Sequence, residues 1–256
     1  MFPKTARLLT GLAALALSAC GRAPPRGPDA PADNPANDYA APPAVERVRN
    51  DSAGLVLSGT AAPGAPVRLG SPTGQSVMVR ADPVGRWTLR LPPAAEPRIF
   101  GLSETVGPRQ AQAQGYVLLT PRGPAALLRA GAGAIRLDAR RGPALGAIDF
   151  DAEGGTVVSG VAAADTAVFV RVDGHQPVEG RTDARGRYSV ALSQPIARGP
   201  HTVDVNGDDF ANTAQVSLTP PEPLVTGPLR SQFTSAGLRI DWRTPGGGVQ
   251  STLLPD

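Results

Sequence analysis

Along most of this chain, apolar residues return at every second position and in short runs. Trp87, Leu89 and Leu91 alternate with Thr88 and Arg90, and Tyr188, Val190 and Leu192 alternate with Ser189 and Ala191. A period of two is what a strand with one buried face requires, because successive side chains point to opposite sides of the pleat. Each run follows a matching turn, Asp82-Pro-Val-Gly-Arg86 or Asp183-Ala-Arg-Gly-Arg187. The Asp side chain bonds back to turn N–H groups, and the Gly supplies a positive φ that a Cβ would oppose.

These segments are two copies of one larger unit. Gly54-Leu-Val-Leu-Ser-Gly-Thr-Ala-Ala62 aligns with Gly155-Thr-Val-Val-Ser-Gly-Val-Ala-Ala163, and the same offset carries Val67 to Val168, Arg80 to Arg181 and Gly85 to Gly186 without a gap. Further on, Leu128-Arg129 meets Leu229-Arg230, and Arg136-Leu137-Asp138 meets Arg239-Ile240-Asp241. A unit of about 100 residues is too long for a solenoid repeat and suits one two-sheet sandwich. In the second copy, strands are predicted at Val157–Val161, Val168–Val172, Pro177–Arg181, Arg187–Leu192, His201–Val205, Gln215–Leu218, Leu238–Trp242 and Val249–Leu254. The last two are joined by Thr244-Pro-Gly-Gly-Gly248, a hairpin tip. In the first copy, Ile135–Asp138 and Ala147–Phe150 take the places of that closing hairpin. Pro124–Ala130 is expected to form one helical turn, and Arg129-Ala-Gly-Ala-Gly133 a flexible turn.

Composition agrees: 30 Gly and 28 Pro punctuate the chain and disfavour long helices. The N-terminal segment differs. Lys4 and Arg7 precede an apolar run from Leu8 to Leu17 that is too short to span a bilayer, which needs about 20 residues. Its ending, Leu17-Ser18-Ala19-Cys20, resembles the lipobox of bacterial lipoproteins. That resemblance implies a signal peptide over 1–19, lipidation (palmitate among the acyl chains) of Cys20, and membrane attachment through the lipid. Gly21 follows instead of the Asp that retains enterobacterial lipoproteins in the inner membrane, so the implied destination is the periplasmic leaflet of the outer membrane. Residues 20–45 carry the lipidated Cys and then a Pro, Ala, Asp and Asn-rich stretch with too little apolar surface to fold, read as a disordered tether. Lone Tyr39 within it is taken as incidental. The formal charge of +3 falls to +1 once Lys4 and Arg7 are removed, and the arginines are scattered singly, which does not mark a nucleic-acid binder. A single cysteine excludes an intrachain disulfide and a Cys₄ metal site.

The order V-x-S-G-x-A, then D-x-x-G-x-[WY], then Gly199-Pro-His-Thr-Val-Asp-Val205, resembles the bacterial Ig-like domains found in arrays on surface and secreted proteins. The fold class is therefore all-β, with tandem Ig-like sandwiches over 46–153 and 154–256, the second ending in the C-terminal hairpin. The likeness covers the first two thirds of each copy, is better in the second, and does not include the closing hairpin, read as an added pair of strands or a link. It implies spacing, adhesion or assembly roles and no shared catalytic residues.

Chemistry is sparse. The two histidines, His175 and His201, lack a nucleophile elbow or His–His metal spacing, and Ser58 and Ser159 in the repeated Ser-Gly step are read as closing a strand at a bend. Asp149, Asp151 and Glu153 at the junction between copies are weak candidates for a Ca²⁺ site, since three carboxylates at alternate positions of an extended segment can share one side. Asn206-Gly-Asp-Asp209 reads first as a turn. Trp87, Tyr188 and Trp242 share faces with aliphatic residues and are expected in the cores. The expectation is a non-enzymatic, cofactor-free envelope lipoprotein with a structural or protein-binding role, meeting an envelope protein through strand edges or the Pro245–Gly248 tip. The alternative is a glycan- or Ca²⁺-binding adhesion module.

Overall fold

The computed structural model describes residues 41–121, 123–138 and 142–256, and the strands among them lie in one compact unit. The expected signal segment, Cys20, Tyr39 and nearly all of the expected tether lie outside the described residues.

The first copy supplies β1 (Ala44–Asp51), β2 (Gly54–Thr60), β3 (Pro66–Gly70), β4 (Ser76–Arg80), β5 (Arg86–Leu91), β6 (Arg98–Val106), β7 (Arg109–Leu119), β8 (Ala125–Leu128) and β9 (Ile135–Arg136). They form two antiparallel sheets, β1-β2-β5 and β4-β3-β6-β7-β8-β9. Leu57, Trp87, Leu89 and Leu91 of one sheet meet Val67, Leu69, Leu102 and Val117 of the other. The turns are built as their sequences predict. Asp82 Oδ1 accepts from the Val84 and Arg86 amides at 3.0 and 2.8 Å, and Asp183 Oδ1 from those of Arg185 and Arg187 at 2.8 and 2.9 Å. Gly85 and Gly186 sit at φ 80° and 73°, each against a backbone carbonyl, Ala61 or Ala162.

The second copy supplies β10 (Ala144–Phe150), β11 (Thr156–Val161), β12 (Ala167–Val172), β13 (Val178–Arg181), β14 (Arg187–Ala191), β15 (Gly199–Gly207), β16 (Phe210–Leu218), β17 (Leu229–Thr234), β18 (Gly237–Arg243) and β19 (Val249–Leu254). Its sheets run β14-β11-β10-β19-β18-β17 and β13-β12-β15-β16. Val158, Tyr188, Val190 and Leu253 face Val168, Val170, Val203 and Val205 across this second core.

Two segments differ from their sequence expectations, and a third settles a reading left open. The segment Ala147–Phe150, expected to close the first copy, lies in β10, which pairs with β11 and β19. It is the counterpart of β1: both have a register shift near their start, before Arg47 and Ala147. Pro124–Ala130 contains strand β8 instead of a helical turn. Ala125 packs into the first core while Ala126 and Leu128 face away from it, and a run buried on both faces shows no alternation to mark it as a strand. The closing hairpin is an added set of strands, since β17, β18 and β19 extend the β10 sheet. Its β17 carries Arg230, Ser231, Gln232 and Thr234, so its apolar pattern is weak.

A third core joins the two sandwiches. From the six-stranded sheet of the first come Ile99, Leu118, Ala126 and Leu128; from that of the second come Ala147, Leu238, Ile240, Trp242 and Leu254. The described residues thus stack four sheets deep, with a core in each of three gaps. Trp242 lies between the sandwiches, its ring edge-on to Tyr116 with centroids 6.0 Å apart. Fully burying a side chain of this size contributes about 2–3 kcal/mol, so this gap stabilises the pair as an ordinary domain core does.

The loop Arg129–Ala134 is the first sandwich's main polar contact with the second, and it is not the free turn expected of it. Ser159 Oγ donates to the Ala134 carbonyl and Ser189 Oγ to that of Ala132, each at 2.7 Å. Ser159 therefore fastens a loop from the middle of β11, where a strand-closing residue was expected. Gly133 holds φ 77°, and a Cβ there would lie 2.6 Å from Ser189 Oγ and 3.0 Å from Ser159 Cβ. Gly131, at φ 66°, has open space around the same position. Gly131→Ala should therefore cost only its backbone strain, about 1 kcal/mol, and Gly133→Ala about 2–4 kcal/mol, measured by denaturant unfolding. Equal losses would show that the docked loop tolerates separation.

Candidate functional site

The junction between copies carries the candidate acidic residues, and the structure separates them. Asp149 faces outward from β10 and would be at a surface in a lone sandwich, but the first sandwich covers it to 2% exposure. Its Oδ2 accepts from the Ala134 amide at 2.6 Å; its Oδ1 accepts from Gln250 Nε2 at 3.1 Å and closely from the Thr252 hydroxyl. The network continues outward: Trp242 Nε1 donates to Thr252 Oγ1 at 3.1 Å, and Gln250 Oε1 accepts from the Gly131 amide at 3.0 Å. Asp151 instead turns into its own loop, with Oδ1 accepting from the Glu153 and Gly155 amides at 3.0 and 2.8 Å. Glu153 is exposed. The three carboxylates do not converge, and among the described residues no group of three His, Cys, Asp or Glu side chains is arranged to hold a metal ion.

Burial pushes the Asp149 carboxyl up to about 6, against the lowering effect of the Thr252, Ala134 and Gln250 hydrogen bonds and the nearby Arg129 charge. The other partly buried acids shift the opposite way. Donors outweigh desolvation at Asp138, paired with Arg136 at 2.7 Å, and at Asp241, which receives Ser251, Arg230 and Arg239. The Arg-x-Asp pair is itself repeated: Arg136 Nε reaches Asp138 Oδ1, and Arg239 Nε reaches Asp241 Oδ1, both at 2.8 Å.

The histidines do not assemble a reactive centre. His201 is nearly buried, with Nδ1 2.6 Å from Asp173 Oδ2 and Nε2 2.8 Å from the Ala197 carbonyl, so both ring nitrogens face acceptors. The Thr202 amide and the His201 ring hold Asp173 below the usual carboxylate range. This cluster fastens the β12–β13 turn to β15 and leaves neither nitrogen open to a substrate. His175 is exposed in the same turn, and Asp208-Asp209 is the tip of the β15–β16 hairpin. Trp87, Tyr188 and Trp242 are all buried, and their polar atoms are spent on Thr60, Ala144 and Thr252, so none forms a saccharide platform. Residues 245–248 of the hairpin tip are exposed, and Pro245 borders a cleft of about 270 Å³ with Arg68, Gln112 and Tyr116 of the first sandwich.

One further opening was not signalled by any motif. It is a groove of about 800 Å³, within the range of sites that hold ligands of appreciable size. One wall is the β3–β4 turn and the start of β4, and another is the β5–β6 connection through Pro92 and Pro97. The connection from Glu222 to Pro228 and the start of β17 complete it, over a floor that includes Leu69, Leu91, Ile99 and Phe100. Among the described residues β4 pairs only with β3 and β17 only with β18, so two strand edges border the groove. Val225 on its rim is 95% exposed. The residues that build it are scattered over three segments, and only the stacking of the two sandwiches brings them together.

No protein-family model matches the sequence, and no curated protein matches it either. Solved structures with a likeness include the BSP domain of a biofilm-associated protein, at 13% identity and a TM-score of 0.24, covering 70% of this chain and 29% of that one. A fibronectin-III array of RIM-binding protein gives 14% identity and a TM-score of 0.28 over 80% of this chain and 72% of that one. The bacterial integrin-binding protein invasin gives 12% identity and a TM-score of 0.24 over 85% of this chain and 54% of that one. The chain thus spans under a third of the biofilm-associated chain and about half of invasin.

The Asp149 shift has a definite sign. A carboxyl whose folded pKa lies above its unfolded value stabilises most when protonated, and that contribution is lost as pH rises from about 3.8 to about 6. Asp138 and Asp241 act oppositely, stabilising above the ordinary carboxylate value and losing that contribution as pH falls below it through their lowered folded values. Wild type should therefore lose about 2 kcal/mol relative to Asp149→Asn between pH 4.5 and 7.5 in denaturant titrations. A pH-independent difference would remove Asp149 from the titrating groups.

Proposed function

We propose that the protein is a non-enzymatic binding module of the cell envelope, anchored by lipid at Cys20 and presenting two fused Ig-like sandwiches to a protein partner. The observation that carries this reading is the third core with its locked loop. It makes one stiff body from two sandwiches, and that body opens a groove between strand edges with no assembled reactive group beside it. A stiff body holds a binding surface in fixed geometry, so association costs little ordering entropy. The lipobox-like Leu17-Ser18-Ala19-Cys20 supports attachment at one end, and the Pro/Ala-rich stretch that follows supports reach from the membrane.

Two measurements in cells test this. Cys20→Ala should move the protein from the membrane fraction to the soluble fraction, and retention in the membrane would refute the anchor. Photo-crosslinkers at Val84, Phe169, Val225 and Phe233, exposed on different parts of the surface, should recover one stoichiometric protein partner. Recovery of cell-wall polymer alone, or of nothing from any position, would replace binding with a spacer role.

A further inference from the structure

The charges in the groove are unequally satisfied. Arg230 is engaged, with Nη2 2.6 Å from Asp241 Oδ2 and Nη1 3.7 Å from Glu222 Oε2. Arg98 is half-buried and has no acidic partner among the described residues. Its Nη2 donates to the Pro92 carbonyl at 3.1 Å, and its guanidinium lies 5.6 Å from the centre of the Phe100 ring. Partial burial lowers its pKa from the ordinary value, the mark of a cation that has lost some of its water without gaining an anion. Glu96, the other charge in the groove without an ionic partner, is exposed and keeps its water.

The main chain is unequally satisfied too. β17 forms the outer edge of a six-stranded sheet, and its first residues, Leu229 to Ser231, line the groove. An edge strand offers a row of backbone donors and acceptors, and a segment that pairs with it places alternate side chains on one side. Here that side is an apolar floor with a half-buried guanidinium set beside it.

We propose that the groove is a docking site for an extended segment of a partner protein, which adds to the free edge of β17, seats alternate apolar side chains on the floor and pairs a carboxylate with Arg98. The proposal rests on the protein-binding reading above and names the chemistry of the partner. The carboxylate belongs to an Asp or Glu side chain or to a chain terminus. The guanidinium offers two parallel donors to it, a geometry that a lone hydroxyl or amide does not match.

A phage-displayed library of random decapeptides, selected on the full chain, tests the proposal. The recovered peptides should alternate apolar residues and carry a carboxylate. Their affinity should fall at least about tenfold for Arg98→Gln and less for Arg98→Lys, which keeps the charge. Val225→Asp, at a rim side chain too exposed to matter for folding, should weaken them as well. Amide exchange along β17 should slow in the complex. The proposal is overturned if no peptide is enriched, if those recovered are indifferent to Arg98→Gln and Val225→Asp, or if β17 exchange is unchanged. Arg98-dependent binding of a fluorescent fatty acid without any peptide would also overturn it. If photo-crosslinking finds a stoichiometric partner only from Val84 or Phe169, the groove fails while the protein-binding role stands.

Discussion

One buried carboxylate governs how the two halves of this protein meet. Asp149 would face water in an isolated sandwich, and in the complete molecule it is enclosed with donors from Ala134, Gln250 and Thr252 around it. Taking a carboxylate out of water costs several kcal/mol unless donors replace the lost hydration. The Ala134 amide comes from the first sandwich and the Gln250 and Thr252 side chains from the second, so the full set forms only when the loop Arg129–Ala134 is seated. Apolar contacts in the third core supply most of the attraction, but they tolerate sliding. The carboxylate does not, because any other seating leaves it buried with too few partners.

Duplication followed by divergence at a few positions explains why the copies stack. β1 and β10 are counterparts, yet the outer face of β1 carries exposed Arg47 and Arg49 where β10 has buried Ala147 and Asp149. The first copy ends by folding Leu137 and Asp138 back, with the Val48 amide donating to the Leu137 carbonyl at 2.8 Å. The second copy uses the matching Arg239-Ile240-Asp241 inside β18, adding three strands beside β10. Those added strands present Leu238, Ile240 and Trp242 to the first sandwich. Their last edge, β17, is also what borders the groove.

Much of each sandwich was legible in the sequence because strand alternation and turn chemistry are local. Asp82, Gly85, Asp183 and Gly186 do what their residue types dictate, and Trp87 and Tyr188 are buried where alternation puts them. The contact between sandwiches was not read, because it depends on which outer faces are covered. Its signals were present: Tyr116-Val-Leu-Leu119 is apolar on both faces, and Ala147 and Asp149 stand where the first copy has arginines. A two-sided apolar run marks a sheet covered on both sides. Trp242 was rightly expected to be buried, but between sandwiches and not inside one. The acidic junction looked like a ligand set because Asp149, Asp151 and Glu153 alternate, whereas a turn at Asp151 ends the strand and sends each carboxylate a different way. The groove had no sequence signal at all, being assembled from three distant segments.

With the third core shared, the two sandwiches unfold as one body, which calorimetry of the protein at pH 7 can read. A single transition whose calorimetric and van't Hoff enthalpies agree is what the shared third core and its buried carboxylate require. Two resolved transitions, one for each sandwich, would show that the halves are held only by their covalent link and that the third core does not couple them.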